Sequence, residues 1–326
     1  MKRGLVFGKF MPLHNGHLAL IDFALQHCDH LYLVLCYTAN EPIDAITRKQ
    51  WLYQTFERDA KITLVSFEYD EHELPNTSVS SQQVSELWAK AFKLLVADVT
   101  MVFTSEDYGD YLAAYMGIQH FLFDKARSIV PVSATAIRTN PLLYWNSIAA
   151  TARPWFVKKI AIVGSESTGK SVLTELLANH FNTVFVAEMA REVIEKTQDC
   201  TFDDLNKIAG LHARTIQLKA AAANKLLFVD TDLITTRSYS QYLFGKELIV
   251  EPWIEQANEF DLYLFMETDS EYIQDGTRLS INERNLLGDH HKLFFQNAGI
   301  PFIPIYGNWD DRFRQAVNII TRTFLE

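Results

Sequence analysis

The stretch Gly164-Ser165-Glu166-Ser167-Thr168-Gly169-Lys170-Ser171 reads G-x-x-x-x-G-K-S and constrains this chain more than any other. An apolar run, 159–163, precedes it as a buried strand would, and an amphipathic segment, 172–181, follows it. Strand, glycine loop and helix in that order are the context a P-loop requires. The backbone N–H groups of such a loop turn inward around phosphate oxygens, and the helix N-terminus adds positive potential. Lys170 is placed to reach the β- and γ-phosphates of a nucleoside triphosphate, and the Ser171 hydroxyl to hold Mg²⁺. A P-loop normally opens its domain, so a separate domain is expected over residues 1–150, with the second over 156–326.

At 326 residues the chain is long enough for two cores. Its 48% hydrophobic and 21% charged residues are those of an ordinary globular protein, which sets aside disordered and fibrous classes. A net charge of −10 argues against a general nucleic-acid surface, so no DNA partner is expected and any polyphosphate must be held by local loops. Cys28, Cys36 and Cys200 have no paired spacing. They read as buried thiols of a reducing compartment, with no zinc site. The opening MKRGLVFGKF lacks the sustained apolar region of a signal peptide, and the run 31–37 is too short to span a bilayer. No membrane insertion and a cytoplasmic location are expected.

In the first domain a short apolar strand, 3–7, runs into Gly8-Lys9-Phe10-Met11-Pro12-Leu13-His14-Asn15-Gly16-His17. Leu18, Ile21 and Leu25 then recur at helical spacing. Strand patterns at 31–36, 62–67, 99–103 and 120–123 alternate with helix patterns at 47–59 and 80–95. Such a βαβ rhythm means a parallel sheet covered by helices, with ligands at the carboxyl ends of the strands, where the stretch after Gly8 lies. Gly8 permits close backbone approach, Pro12 stiffens the loop, and Gly16 leaves room beside the helix start. His14 and His17, three apart, share one face. Two imidazoles beside free helix N–H groups suit phosphate oxygens better than an isolated metal.

The stretch from Gly8 to His17 resembles the H-x-G-H signature of the nucleotidyltransferase superfamily, which moves a nucleotidyl group from a nucleoside triphosphate. That superfamily's second signature, I-S-S-T-x-I-R, has its counterpart in Val132-Ser133-Ala134-Thr135-Ala136-Ile137-Arg138, with Val for Ile and Ala for the second Ser. Ser133 and Thr135 suit a helix start where hydroxyls meet phosphate. Arg138 would neutralise charge on the transferring or departing phosphates. Gly8, Lys9, Phe10 and Gly16 would line the ATP side of this site. Arg48-Lys49-Gln50-Trp51-Leu52 and Thr104-Ser105-Glu106-Asp107-Tyr108-Gly109 resemble the nicotinamide branch of the superfamily, which implies a phosphate contact at Arg48 and adenosine contacts at Asp107 and Tyr108. Trp88, inside the helical pattern 80–95, is either a platform for a nicotinamide ring or a core tryptophan. Residues 140–155, with Pro141 and Pro154 and no periodicity, mark the domain boundary.

In the second domain a strand pattern at 183–187 is followed by Glu188. Small-molecule kinases of this fold often keep there the acid that faces the accepting hydroxyl. A long helical stretch, 202–224, leads to Leu226-Leu227-Phe228-Val229-Asp230. Four apolar residues ending in Asp form the Walker B pattern, and Asp230 is the expected carboxylate beside Mg²⁺. Asp232 is the expected contact to the substrate ribose, and whether it or Glu188 faces the hydroxyl is open. After a strand at 261–265, the polar stretch 275–284 with Arg278 and Arg284 reads as a lid over phosphates. A strand at 301–305 and a helix at 309–324 complete the domain.

Together the two halves resemble the bifunctional nicotinamide mononucleotide adenylyltransferase/ribosylnicotinamide kinase, or NadR, family. Each motif alone names a superfamily; their order and spacing in one chain name the family. The resemblance implies an α/β fold of two doubly wound parallel-sheet domains, a Rossmann-like nucleotidyltransferase domain followed by a P-loop kinase domain. It implies ATP as co-substrate, Mg²⁺ as cofactor, nicotinamide riboside and its mononucleotide as substrates, and NAD as product. Some members carry an N-terminal helix-turn-helix repressor domain; here the first strand begins within a few residues of Met1, and no such module is expected. A monomer and a homo-oligomer are equally compatible with the sequence. Two other readings stand beside this one. Ala134 leaves room for a nucleotide-sensing regulator with an inactive site, and the spacing alone admits an adenylyltransferase–kinase acting on another acceptor.

Overall fold

The structure, a computed structural model, describes residues 1–76, 81–194, 200–269 and 280–326. The chain divides into two compact units, Met1–Arg153 and Pro154–Glu326.

In the first unit the elements run β1 (Arg3–Gly8), α1 (Asn15–His27), β2 (His30–Tyr37), α2 (Ala45–Phe56), β3 (Ile62–Glu68), α3 (Gln82–Leu95), β4 (Met101–Thr104), α4 (Tyr108–Met116), β5 (Gln119–Leu122) and α5 (Ala134–Thr139). The five strands form one parallel sheet in the order β3-β2-β1-β4-β5. Leu5 and Val6 on β1 and Leu33, Val34 and Leu35 on β2 are all buried, so adjacent residues bury opposite faces of the same strand. That is why these strands read as continuous apolar runs. From β1 the chain winds outward through β2 and β3, then returns to the other side of β1 for β4. The switch point therefore lies between β1 and β4, and the loop leaving β1 opens over it. Capping moves the helix starts from those expected. The Asp44 carboxylate accepts the N–H of Thr47 at 2.8 Å, so α2 begins at Ala45, and Ser81 caps α3.

The second unit runs β6 (Lys158–Gly164), α6 (Lys170–His180), β7 (Phe185–Val186), α7 (Ala190–Val193), α8 (Phe202–Ala222), β8 (Leu226–Asp230), α9 (Leu233–Phe244), α10 (Pro252–Ala257), β9 (Leu262–Met266), α11 (Ile281–Asn297), β10 (Ile303–Ile305) and α12 (Trp309–Ile320). Its parallel sheet has the order β10-β9-β6-β8-β7, with the P-loop strand β6 at the centre. Edge strand β7 is shorter than the pattern 183–187 because Thr183 pairs through its side chain, donating its hydroxyl to the Leu226 carbonyl at 2.6 Å. Both units are thus doubly wound α/β sheets, as expected. The stretch expected to be a lid is not uniform. Residues 275–279, including Arg278, lie outside the described residues. Ser280 forms a capping box with Glu283, so Arg284 belongs to the first turn of α11. Among the described residues no helix is long and apolar enough to cross a membrane.

Candidate functional sites

The first site grows from the end of β1. His14 is the N-cap of α1, and its Nδ1 accepts the N–H of Gly16 at 3.0 Å. With that lone pair taken, a neutral ring carries its proton on Nε2 and presents it as a donor. Burial, and then the Arg127 guanidinium, lowers the His14 pKa to about 4, so the ring is neutral near pH 7. His17 stacks on it with ring centroids 3.8 Å apart and planes 28° off parallel, and Phe10 meets His17 edge-on at 4.9 Å. Burial and the neighbouring His14 hold His17 well below the usual imidazole range. Its Nδ1 is shielded and has no partner. A Cβ at residue 16 would lie 2.8 Å from the His14 ring, so the capped stack requires glycine there. Phe10, expected on the ATP side, is 1% exposed and instead sets the orientation of His17 from the core.

The second signature meets this loop across 127 residues: Arg138 donates through Nη1 to the Met11 carbonyl and through Nη2 to the Thr135 hydroxyl at 3.2 Å. Ser133 caps α5 by accepting the Ala136 N–H at 3.1 Å.

At the Gly8–Lys9 end of the same loop opens a cavity of about 200 Å³, lined also by Tyr69, Trp88 and Tyr108 among others. Trp88 is both a wall and a core residue. Its indole N–H donates to the Pro75 carbonyl at 3.2 Å, and it packs T-shaped on Tyr69 at 4.9 Å. Tyr108 lies in this wall, whereas Asp107, also expected at adenosine, sits on the exposed rim paired with Lys125 at 2.7 Å. Gly8 is not required by crowding: among the described residues a Cβ there would meet Phe10 alone, at 3.8 Å, and its missing side chain leaves the cavity open. The Lys9 ammonium is 2.9 Å from Glu41 and 3.2 Å from Glu71. Arg48 departs from its expected phosphate contact. It is fully buried, donating to the carbonyls of Asp44 and Lys9 and pairing with Glu41. A guanidinium so enclosed holds the Lys9 backbone in place. Glu41, which no motif marked, is the acid that organises both cations.

In the second unit Ser165, Glu166, Ser167, Thr168 and Gly169 join β6 to α6. The loop is tied inward from several directions. Thr168 Oγ1 and Lys170 Nζ donate to the Ser165 carbonyl at 2.7 and 3.0 Å, and Ser165 Oγ donates to the Arg284 carbonyl at 2.8 Å. Ser167 has φ 58° and Gly169 φ 87°, both left-handed. A Cβ on Gly169 would fall 1.9 Å from the Trp309 ring. The buried hydroxyl of Ser167 has no hydrogen-bond partner among the described residues. Ser171 Oγ donates to Asp230 Oδ2 at 2.5 Å. Burial pushes the Asp230 carboxyl up to about 6, with Lys170 opposing and Glu188 adding to the rise. The charge of Glu188, just beyond β7, thus bears on the Walker B carboxylate. A hydroxyl and a carboxylate in contact are oxygen donors of the kind that suits Mg²⁺, a cation that keeps waters and phosphate oxygens as its other ligands.

Two expected residues serve other purposes. Asp232 is fully buried and caps α9, accepting from Thr235 N at 2.8 Å, Ile234 N at 3.0 Å and Thr235 Oγ1 at 2.6 Å, so its oxygens are spent before any ribose arrives. Arg284 is 1% exposed and donates to the Thr268 carbonyl at 2.8 Å; it braces the loop from below and is no lid charge. Arg312 of α12, unmarked by any motif, donates to the carbonyls of Thr168 at 3.0 Å, Gly307 at 2.7 Å and Glu267 at 2.8 Å, and so ties the P-loop to β9.

A cytidylyltransferase-like family model matches residues 5–140, and an AAA domain model matches residues 159–312. The trifunctional NAD biosynthesis/regulator protein NadR of Salmonella typhimurium is 30% identical across 97% of this chain and 82% of its own length. Its Escherichia coli counterpart is 29% identical over the same shares. A crystal structure of NadR protein in complex with NR matches the fold with a TM-score of 0.83 at 23% identity, covering 99% of this chain and 96% of that one. Paired histidines, second signature, P-loop and Walker B strand stand here in one chain that is 30% identical to the Salmonella protein over 97% of its length, and this protein belongs to the NadR family.

Proposed function

We propose that the protein is a bifunctional transferase of NAD synthesis, phosphorylating nicotinamide riboside and then adenylylating the resulting mononucleotide. The observation that carries this reading is the construction of the first site. One loop, Gly8 to His17, both borders an aromatic cavity of about 200 Å³ and bears the stacked imidazoles. A ring and a phosphate chain can be held side by side there. The name of its relatives, NAD biosynthesis proteins, agrees with a nicotinamide ring as the occupant.

In the kinase half the γ-phosphoryl of ATP passes to the 5′-hydroxyl of the riboside. Lys170 and the loop N–H groups hold the phosphates, and Glu188 orients the accepting hydroxyl. Ser171 and Asp230 would hold Mg²⁺, which when bound would neutralise charge on the β- and γ-phosphates. In the adenylyltransferase half an oxygen of the mononucleotide phosphate bonds to the α-phosphorus of ATP. The bond to the α,β-bridging oxygen breaks, and pyrophosphate leaves with the electron pair. The attacking phosphate is already an anion and needs no base. His14, with its Nε2–H, and His17 donate hydrogen bonds to oxygens on which charge grows, and Arg138 adds positive charge.

Incubation with ATP, Mg²⁺ and nicotinamide riboside tests this: ADP, mononucleotide, pyrophosphate and NAD should appear, in that order of dependence. Lys170→Ala should stop the reaction from riboside and spare the reaction from mononucleotide. Failure of the unmodified protein to convert either substrate would overturn the assignment.

A further inference from the structure

The segment between β5 and α5 is built around one carboxylate. Asp124 accepts the main-chain N–H groups of Ser128 at 2.7 Å, Ile129 at 3.1 Å and Val130 at 3.1 Å, and the Ser128 hydroxyl at 3.1 Å. The turn closes with Arg127 N donating to the Asp124 carbonyl at 2.8 Å. Asp124 at φ 41° and Arg127 at φ 52° are both left-handed, a conformation unfavourable for a side chain such as arginine. Such strain persists only where the surroundings over-determine it, as the clasp does here. The clasped loop lies on the opening turn of α1: Val130 Cγ1 is 4.0 Å from the Cβ position of Gly16.

Arg127 is thereby delivered to the mouth of the H-x-G-H loop. Its guanidinium is 3.4 Å from a carboxylate oxygen of Glu106, and both side chains are about half exposed. A loose, half-exposed pair of this kind contributes little and is readily exchanged for a better anion. The positive charge of the same side chain also disfavours protonation of His14, after burial. The histidine pair is neutral, and the Lys9 charge is already matched by Glu41 and Glu71. Arg138, held on the Met11 carbonyl, is then the one cation the two signatures offer, and a triphosphate needs further positive charge at this mouth.

We infer that Arg127 binds the triphosphate of the adenylyltransferase site, its guanidinium leaving Glu106 for the β- and γ-phosphate oxygens of ATP. A planar fork of N–H donors matches phosphate oxygens. As the bond from the α-phosphorus to the bridging oxygen breaks, the electron pair moves onto pyrophosphate, and Arg127 meets that growing charge. Asp124 acts through Arg127 as a positioning residue. The inference rests on the adenylyltransferase reading above.

The test uses the full chain with Arg127→Ala, Arg127→Lys and Glu106→Gln, following NAD formation from mononucleotide and ATP. Arg127→Ala should lower kcat/KM for ATP about 10²-fold, leave the KM for mononucleotide and riboside phosphorylation unchanged, and be partly rescued by Arg127→Lys. Glu106→Gln should keep kcat and hold or lower the KM for ATP, because it frees the guanidinium. If the unmodified protein makes NAD and Arg127→Ala keeps its kcat/KM for ATP, the inference falls alone. A loss with Glu106→Gln as deep as with Arg127→Ala would make the ion pair itself the requirement and also overturn it. If the unmodified protein makes no NAD from mononucleotide, both readings fall.

Discussion

His14 and His17 lie ring on ring at 3.8 Å, and His14 spends its Nδ1 on the N–H of Gly16. The pair is therefore a stack of neutral rings whose inner member is locked in one tautomer. Neutral donors aimed at developing charge act mainly on turnover.

The His17→Ala protein should lose about 10²–10³-fold in adenylyltransferase turnover, with far less change in mononucleotide binding. His14 has a second duty as a cap. His14→Ala should cost about 0.5–2 kcal/mol of stability in addition to turnover, whereas His14→Asn should restore the cap without the rate. Steady-state kinetics with urea unfolding separates the two. An unchanged turnover number for His17→Ala would reduce this loop to a structural element.

Replacing Gly8 with Val should leave the fold intact and fill the binding cavity. The Cβ has room, 3.8 Å from Phe10, but the branches point into the space that Trp88 and Tyr108 border. Mononucleotide binding should weaken by about tenfold or more, equivalent to ~1.4 kcal/mol, with riboside phosphorylation unaffected. Calorimetric titration with mononucleotide measures this; undiminished affinity would mean that the ring binds elsewhere.

Gly169→Ala combines two faults. The residue sits at φ 87°, and its new Cβ would lie 1.9 Å from the Trp309 ring. The backbone part should cost about 1–2 kcal/mol, and the collision should add to it while displacing the P-loop, so kinase activity is lost and adenylyl transfer persists. Adding Trp309→Ala should recover the steric part only. A double-mutant cycle in unfolding free energy reads this directly, and strict additivity would exclude the collision.

Acid should destabilise the protein well above the carboxylate range. Burial lowers His14 and His212 to about 4 and His291 to about 3, from an ordinary value of 6.5. Between those values the unfolded chain binds protons that the folded chain refuses, so stability is full above pH 6.5 and falls as the pH drops towards 4. Each such histidine contributes a slope of up to about 1.4 kcal/mol per pH unit. Urea midpoints at pH 7, 6 and 5 should decline progressively. Adenylyltransferase turnover should show no inflection near 6.5, since the histidine pair is already neutral. A midpoint independent of pH over this range would contradict the buried neutral state.

The sequence alone determined both doubly wound units and the loops on which their sites are built. A P-loop, a Walker B strand and an H-x-G-H turn are short stretches whose glycines, hydroxyls and imidazoles act through their own backbone, so nearby residues suffice to identify them. In sequence Trp88 fits either wall or core, and the structure makes it both, since the indole lines the cavity and its N–H meets the Pro75 carbonyl. Polar residues with long reach were decided by tertiary structure. Arg48 finds the Lys9 carbonyl 39 residues away, Asp232 turns back onto its own helix, and Arg312 clamps Thr168 across 144 residues. An arginine or aspartate looks the same in sequence whether it awaits a phosphate or braces a loop. Which it does depends on the donors and acceptors that the fold brings within about 3 Å of its tip, and on whether water and ligand can still reach it.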